Sequence, residues 1–192
     1  HFGVIVLGIF ALTSQGTSGS TFYMVSHGLS TAALFIVGGF LIARRGSRRL
    51  ADFGGVQKPA PILAGFMLVA GLSGLAMPGL ATFVSEFLVL VGTFSRYQVA
   101  AALATFGIVL AALYILIMYQ RTMTGPTTPE TENTPDVRGR EVVVVAPLLA
   151  LLIALGVAPA VMLDPIEDAT QQTLEQVGVT DPEPVFSQGE EQ

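Results

Sequence analysis

The 192-residue chain is 52% hydrophobic before its 21 glycines are counted and only 12% charged, with 14 acids, 9 bases and no Cys or Trp. An average soluble domain is about 45–50% apolar with Gly included and about 25% charged. The composition therefore excludes a disordered chain, a disulfide scaffold, a thiolate metal site and a cysteine nucleophile, and it fits an all-α polytopic membrane protein.

Membrane crossing takes about 20 mostly apolar residues per helix. Residues 1–13 are too few and match the second half of such a helix. His1 stands where Met would begin a reading frame, directly inside an apolar run with no signal-peptide n-region. The chain thus reads as the C-terminal part of something longer. Residues 14–20 (SQGTSGS) read as an uncharged turn. A full span follows over residues 21–43, ending in the cluster Arg44, Arg45, Arg48 and Arg49, and then a Gly/Pro-rich loop.

From residue 62 to 94 only Glu86 is charged, and one continuous helix of that length would measure roughly 50 Å, well past the hydrocarbon core. Met77, Pro78 and Gly79 stand near its middle. Proline removes a donor and crowds the preceding turn, and glycine lowers the cost of leaving helical geometry. A break is expected there. Such breaks occur at transport sites, where freed backbone groups meet protein or a wet cavity, and also as plain proline kinks. Further spans are expected at residues 97–120 and 142–163, which makes about five helices in a membrane domain of residues 1–163.

Residues 164–192 hold eight acids and no Lys or Arg, so they read as an acidic extramembrane tail, with a short amphipathic helix over 166–177. Without the tail, the chain's −5 formal charge becomes six acids against nine bases. Five of those bases lie in the loop at 44–61 and three in the loop at 121–141. The positive-inside rule makes these two loops cytoplasmic and the tail external. No basic stripe with interleaved aromatics is present, so nucleic acid is not an expected partner.

Three ionisable groups fall in the spans: His1, His27 and Glu86. A charged group in hydrocarbon costs several kcal/mol and so faces a bundle interior or a wet cavity. Histidine titrates close to neutrality and relays protons readily. Counting from the outer ends puts Glu86 and His27 at about 12 Å and roughly 10 Å depth and His1 at about 18 Å, a descent from the membrane centre to the outer surface. Alternatively, Glu86 is a protonated partner between helices and the histidines are packed interhelical groups. Two His and one Glu on three helices carry no metal-ligand spacing, and no Ser-His-Asp set, P-loop or GxGxxG context occurs.

Four strings carry a resemblance: MVSHGLSTAALF at 24–35, DFGG at 52–55, Met77-Pro78-Gly79, and FVSEF at 83–87. Together they resemble subunit M of NADH-quinone oxidoreductase, respiratory complex I. They are also similar to the mitochondrial subunit 4 and to Mrp-type antiporter subunits. The resemblance implies about fourteen helices built as inverted repeats with two broken, of which this chain would supply the end of the tenth through the fourteenth. It implies that Glu86, on the broken twelfth helix, serves an outer proton exit. His27 and His1 would match histidines of the central polar axis. Related antiporter subunits, including subunits L and N, usually carry Lys where Glu86 stands. The resemblance further implies a proton-translocating role within a bacterial cell-membrane enzyme, with subunits L and N on either side. NADH, FMN, iron–sulfur clusters and quinone would be held by other subunits and no cofactor by this chain. The rival readings are an Mrp-type cation/proton antiporter subunit without electron transfer, and a structural spacer between neighbouring subunits.

Overall fold

The computed structural model describes residues 1–182, which form seven α-helices: α1 Phe2–Ala11, α2 Ser14–Arg45, α3 Pro61–Gly74, α4 Ala81–Phe94, α5 Gln98–Met123, α6 Arg140–Val157 and α7 Ala160–Val177. Three of them, α2, α5 and α6, are long and apolar enough to cross a membrane. Helices α1, α3 and α4 are shorter and apolar.

The expected turn at residues 14–20 is instead the first two turns of α2. The chain reverses earlier, at Leu12, which has φ 52°, and Thr13, whose hydroxyl accepts from the Gly16 N–H at 3.1 Å. The reason lies in packing. A Cβ on Gly16 would meet the Gly8 carbonyl at 3.0 Å, and one on Gly19 would meet the Val89 backbone nitrogen at 2.8 Å. Small residues spaced along one helix face let backbones approach closely in an apolar environment. In a soluble loop the same residues serve turns. Here Gly16, Gly19, Ser20, Tyr23, Ser26, Ser30, Ala33, Val37 and Leu41 form the buried stripe of α2.

At 32 residues α2 is about 48 Å long and overruns the hydrocarbon thickness. It ends at Gly46 (φ 70°) with Arg44 and Arg45 in its last turn, where cations complement the helix dipole. Arg44 pairs with Glu141 at 2.6 Å and donates to the Pro135 carbonyl at 2.7 Å. The Asp136 carboxylate accepts from the Ile62 and Leu63 N–H groups at 2.9 and 2.8 Å, satisfying the exposed donors of α3's first turn. Gly55 N–H donates to the Thr124 carbonyl at 2.9 Å. The two basic loops therefore share one end of the bundle.

Helices α3 and α4 are the two halves of the interrupted stretch, separated by residues 75–80. Ala76 (φ 52°) and Gly79 (φ 96°) take the left-handed conformation around Pro78. The halves are stitched by Thr82, whose hydroxyl donates to the Ser73 carbonyl at 2.8 Å. Gly156 of α6 receives the break, since a Cβ there would sit 2.6 Å from Leu80 Cα.

The stretch expected to cross at 142–163 turns early. Helix α6 ends at Val157, and α7 begins at Ala160. Pro159 lacks an amide donor and keeps Ala158 out of helical geometry (φ −125°, ψ 64°). Helix α7 then runs along the first turns of α2, with Thr170 and Leu174 buried and Asp164, Glu167, Asp168 and Glu175 exposed. Beyond it, Asp181 accepts from the Ser14 N–H at 2.8 Å and the Thr180 carbonyl accepts from Arg96 at 2.8 Å. Residues 183–192 of the expected tail lie outside the described residues.

The apolar core joins α2, α3, α4 and α6 through Phe22, Val37, Leu63, Met67, Ala81, Val145 and Leu152. Helix α5 instead exposes Val99, Leu103, Phe106, Val109, Leu110 and Leu113.

Candidate functional site: a buried carboxyl, tyrosine and histidine cluster

Glu86 sits in the second turn of α4, just past the break, and is 2% exposed. Its helix turns that face onto α2 because the Gly16–Gly92 and Gly19–Val89 contacts clamp the two helices together. The neighbouring Ser85 hydroxyl lies 2.8 Å from that of Ser26, and both are fully buried. The Ser85 hydroxyl is also within reach of the Ala81 and Thr82 carbonyls, at 3.0 and 3.1 Å. The face shared by α2 and α4 is thus polar for more than a turn.

The Tyr23 hydroxyl donates to Glu86 Oε2 at 2.7 Å and lies 2.7 Å from His1 Nδ1. With the phenol proton on the carboxylate, His1 pairs with the phenol oxygen in a form that carries a proton on Nδ1. His1 Nδ1 and Glu86 Oε2 are 3.9 Å apart, too far for a direct hydrogen bond. His27 completes the group: its ring centroid is 5.7 Å from that of His1 and 5.9 Å from that of Tyr23. Glu86 Oε1 and His1 Nε2 are buried with no hydrogen-bond partner among the described residues.

A cavity of about 70 Å³ adjoins the cluster, lined by His1, Tyr23, His27, Thr31, Ser73 and Tyr114 among others. That exceeds the ~10–15 Å³ one water needs, and the lining supplies polar partners. The cavity reaches Gly74, the last residue of α3 before the break.

The structure brings His1, His27 and Glu86 into one cluster, but not as the expected descent. Because residues 14–20 are helical, His27 lies 14 residues from the reversal at Thr13, about 21 Å along α2 rather than roughly 10 Å. His1 is beside Tyr23 and Glu86, and His27 is one turn further in. Tyr23 was not among the expected residues. The available signal was its i, i+4 spacing to His27, which puts both side chains on one face of α2. Ser26 and Ser85 stand in the strings that carry the resemblance but were not singled out there, and Thr82 carried no signal beyond being small and polar.

The family described as NADH:quinone oxidoreductase/Mrp antiporter, TM, matches residues 1–113. NADH-quinone oxidoreductase subunit M of Mycobacterium tuberculosis is 58% identical over 96% of this chain. The chain spans 33% of that protein's length. Among solved structures, a chain of respiratory complex I from Thermus thermophilus with bound NADH superposes with a TM-score of 0.81 at 31% identity, covering 91% of this chain and 37% of its own length. A chain of the Mrp complex from Dietzia sp. DQ12-45-1b gives 0.74 at 25% identity, over 88% of this chain and 40% of its own. Fold and sequence agree: this chain belongs to the NADH:quinone oxidoreductase/Mrp antiporter family of membrane proteins.

Proposed function

We propose that the chain is part of a proton-translocating membrane-arm subunit of a bacterial NADH-quinone oxidoreductase, and that Glu86 exchanges protons with the outer side. The observation that carries this is the placement of a buried carboxyl one turn past a helix break, bonded to Tyr23 and adjoining a cavity shared by His1 and His27. An ionisable group in this position is costly to keep in hydrocarbon and is explained by a proton route. The 58% identity to subunit M favours complex I within the family.

In this reading, quinone chemistry elsewhere shifts charge along buried groups, and this chain moves protons without holding a redox cofactor. NADH, FMN, iron–sulfur clusters and quinone belong to other subunits. Subunits L and N are its neighbours in the membrane, and the exposed apolar face of α5 suits lipid or such a neighbour. The basic loops are cytoplasmic, and α7 with the acidic tail is external. Glu86→Gln in the full complex is expected to lower protons pumped per NADH oxidised while leaving the complex assembled. Pumping at the wild-type ratio would overturn the role.

A second reading, an Mrp-type cation/proton antiporter subunit without electron transfer, is favoured by the likeness to the Mrp complex chain. Na⁺-dependent proton exchange by the full assembly in vesicles without NADH would support it.

A further inference from the structure

We propose that the Tyr23 hydroxyl is the proton bridge between His1 and Glu86, an inference that rests on the proton-exchange reading of Glu86. The two end groups are 3.9 Å apart and share no hydrogen bond, whereas Tyr23 Oη is 2.7 Å from each. Tyr23 is 1% exposed, so its orientation is fixed by packing rather than by solvent. A phenol is both donor and acceptor, which a bridge requires.

The transfer balances as one proton moved. Starting from imidazolium and carboxylate, the His1 Nδ1–H bond breaks as that proton passes to Tyr23 Oη. At the same time the Tyr23 O–H bond breaks and its proton passes to Glu86 Oε2. The products are neutral His1, an intact phenol now donating to Nδ1, and a protonated Glu86. No electron transfer is involved. His1 Nε2 keeps its own proton in this step, so a flip of the imidazole must first turn the bare nitrogen toward the cavity that His1 lines. Recharging then occurs from that side, where Nε2 has no partner among the described residues. Glu86 Oε1 is likewise unpartnered, and rotation of the carboxyl would present the proton away from Tyr23. Before a second transfer the phenol O–H must turn back from Nδ1 to Oε2. The bridge therefore passes one proton per imidazole flip and hydroxyl rotation and does not conduct freely.

The test uses the full complex in proteoliposomes. Tyr23→Phe removes one oxygen and keeps the ring, and it is expected to slow the proton-transfer step at least about tenfold, the low end for a positioned proton-transfer group falling well above that. Two readouts separate a relay from packing: the solvent deuterium isotope effect on pumping, and the infrared carboxyl band that appears on turnover and disappears in Glu86→Gln. Loss of that band in Tyr23→Phe, with the isotope effect altered, supports the bridge. If Tyr23→Phe keeps wild-type pumping, band and isotope effect while Glu86→Gln loses pumping, the bridge is overturned and the Glu86 reading stands. If Glu86→Gln also pumps normally, the underlying reading falls. Should Tyr23→Phe fail to assemble, fluorotyrosine at position 23 keeps the hydroxyl and changes its acidity. A pumping rate that follows that acidity supports the bridge, and one indifferent to it overturns it.

Discussion

Thr82, in the first turn of α4, donates its hydroxyl to the Ser73 carbonyl at the end of α3, 2.8 Å away and across the helix break. The bond joins two half-helices that share no continuous backbone ladder, and it lies where the cavity beside His27 ends. The break is therefore a held geometry, fixed on one side by this hydroxyl and on the other by Gly156.

Thr82→Val should loosen that geometry with little change in shape. The Ser73 carbonyl also accepts from the Ala76 N–H at 3.1 Å, so it is not left unpaired. The expected cost is that of one net hydrogen bond, about 0.5–1.5 kcal/mol. It should appear as a lower thermal midpoint of the full-length subunit in detergent, with Thr82→Ser close to wild type. Equal midpoints for the Val and Ser variants would show that the stitch contributes nothing.

Gly92→Ala is expected to damage assembly. The added Cβ would collide with the Gly16 backbone nitrogen and stand 2.7 Å from Gly16 Cα and 2.8 Å from Thr13 Oγ1. The two Gly16 atoms are backbone and cannot swing aside, so α2 and α4 must separate. Overpacking of this kind costs about 1–3 kcal/mol. Separation would also pull Tyr23 from Glu86. The amount of assembled complex on a native gel should fall, whereas Gly28→Ala, which meets nothing within 4 Å, should leave it unchanged.

Arg44 and Glu141 differ in what their loss should do. Glu141→Gln removes a partly exposed ion pair, worth about 0–1 kcal/mol. Arg44→Met removes the same pair together with the bonds to the Pro135 and Asp136 carbonyls that hold the α5–α6 loop. Limited trypsin digestion at Arg138 should therefore accelerate strongly in Arg44→Met and slightly in Glu141→Gln. Equal rates would mean that the loop is held elsewhere.

The parts legible in the sequence are those where chemistry contradicts the surrounding hydrocarbon. Glu86 is the one charge in more than thirty residues, and Met77-Pro78-Gly79 interrupts a run too long for one helix, so both stand out. The parts that were not legible are those where one residue type serves two environments. Gly16, Gly19 and Ser20 are turn formers in water and a packing face in an apolar bundle, and misreading them shortened α2 and misplaced His27 in depth. Tyr23 in an apolar run looks like packing until its hydroxyl is seen between two ionisable groups. Ala158-Pro159 is followed by Val161, Met162 and Leu163, and this continued apolar run conceals the corner at which α7 begins. Periodicity could expose that corner, because from Ile166 onward acids and apolar residues alternate as on an amphipathic helix.

The proposed sidedness can be read by labelling the two ends of the bundle. The chain has no native cysteine, so single substitutions in it report cleanly against a cysteine-matched background. Arg48 is exposed at the end that gathers the basic loops, and Gln172 is exposed on α7 at the opposite end. Eight of nine bases lie at the first end, and Asp164, Glu167, Asp168, Glu175 and Asp181 follow the turn into α7 at the second. The orientation proposed from the positive-inside rule puts Arg48 in the cytoplasm. In intact cells, a membrane-impermeant maleimide should label Gln172→Cys and spare Arg48→Cys, and inverted vesicles should give the reverse. Labelling of Arg48→Cys from outside would invert the topology, and Glu86, on the half-helix that runs from the break to the α7 end, would then face the cytoplasm and take up protons from it.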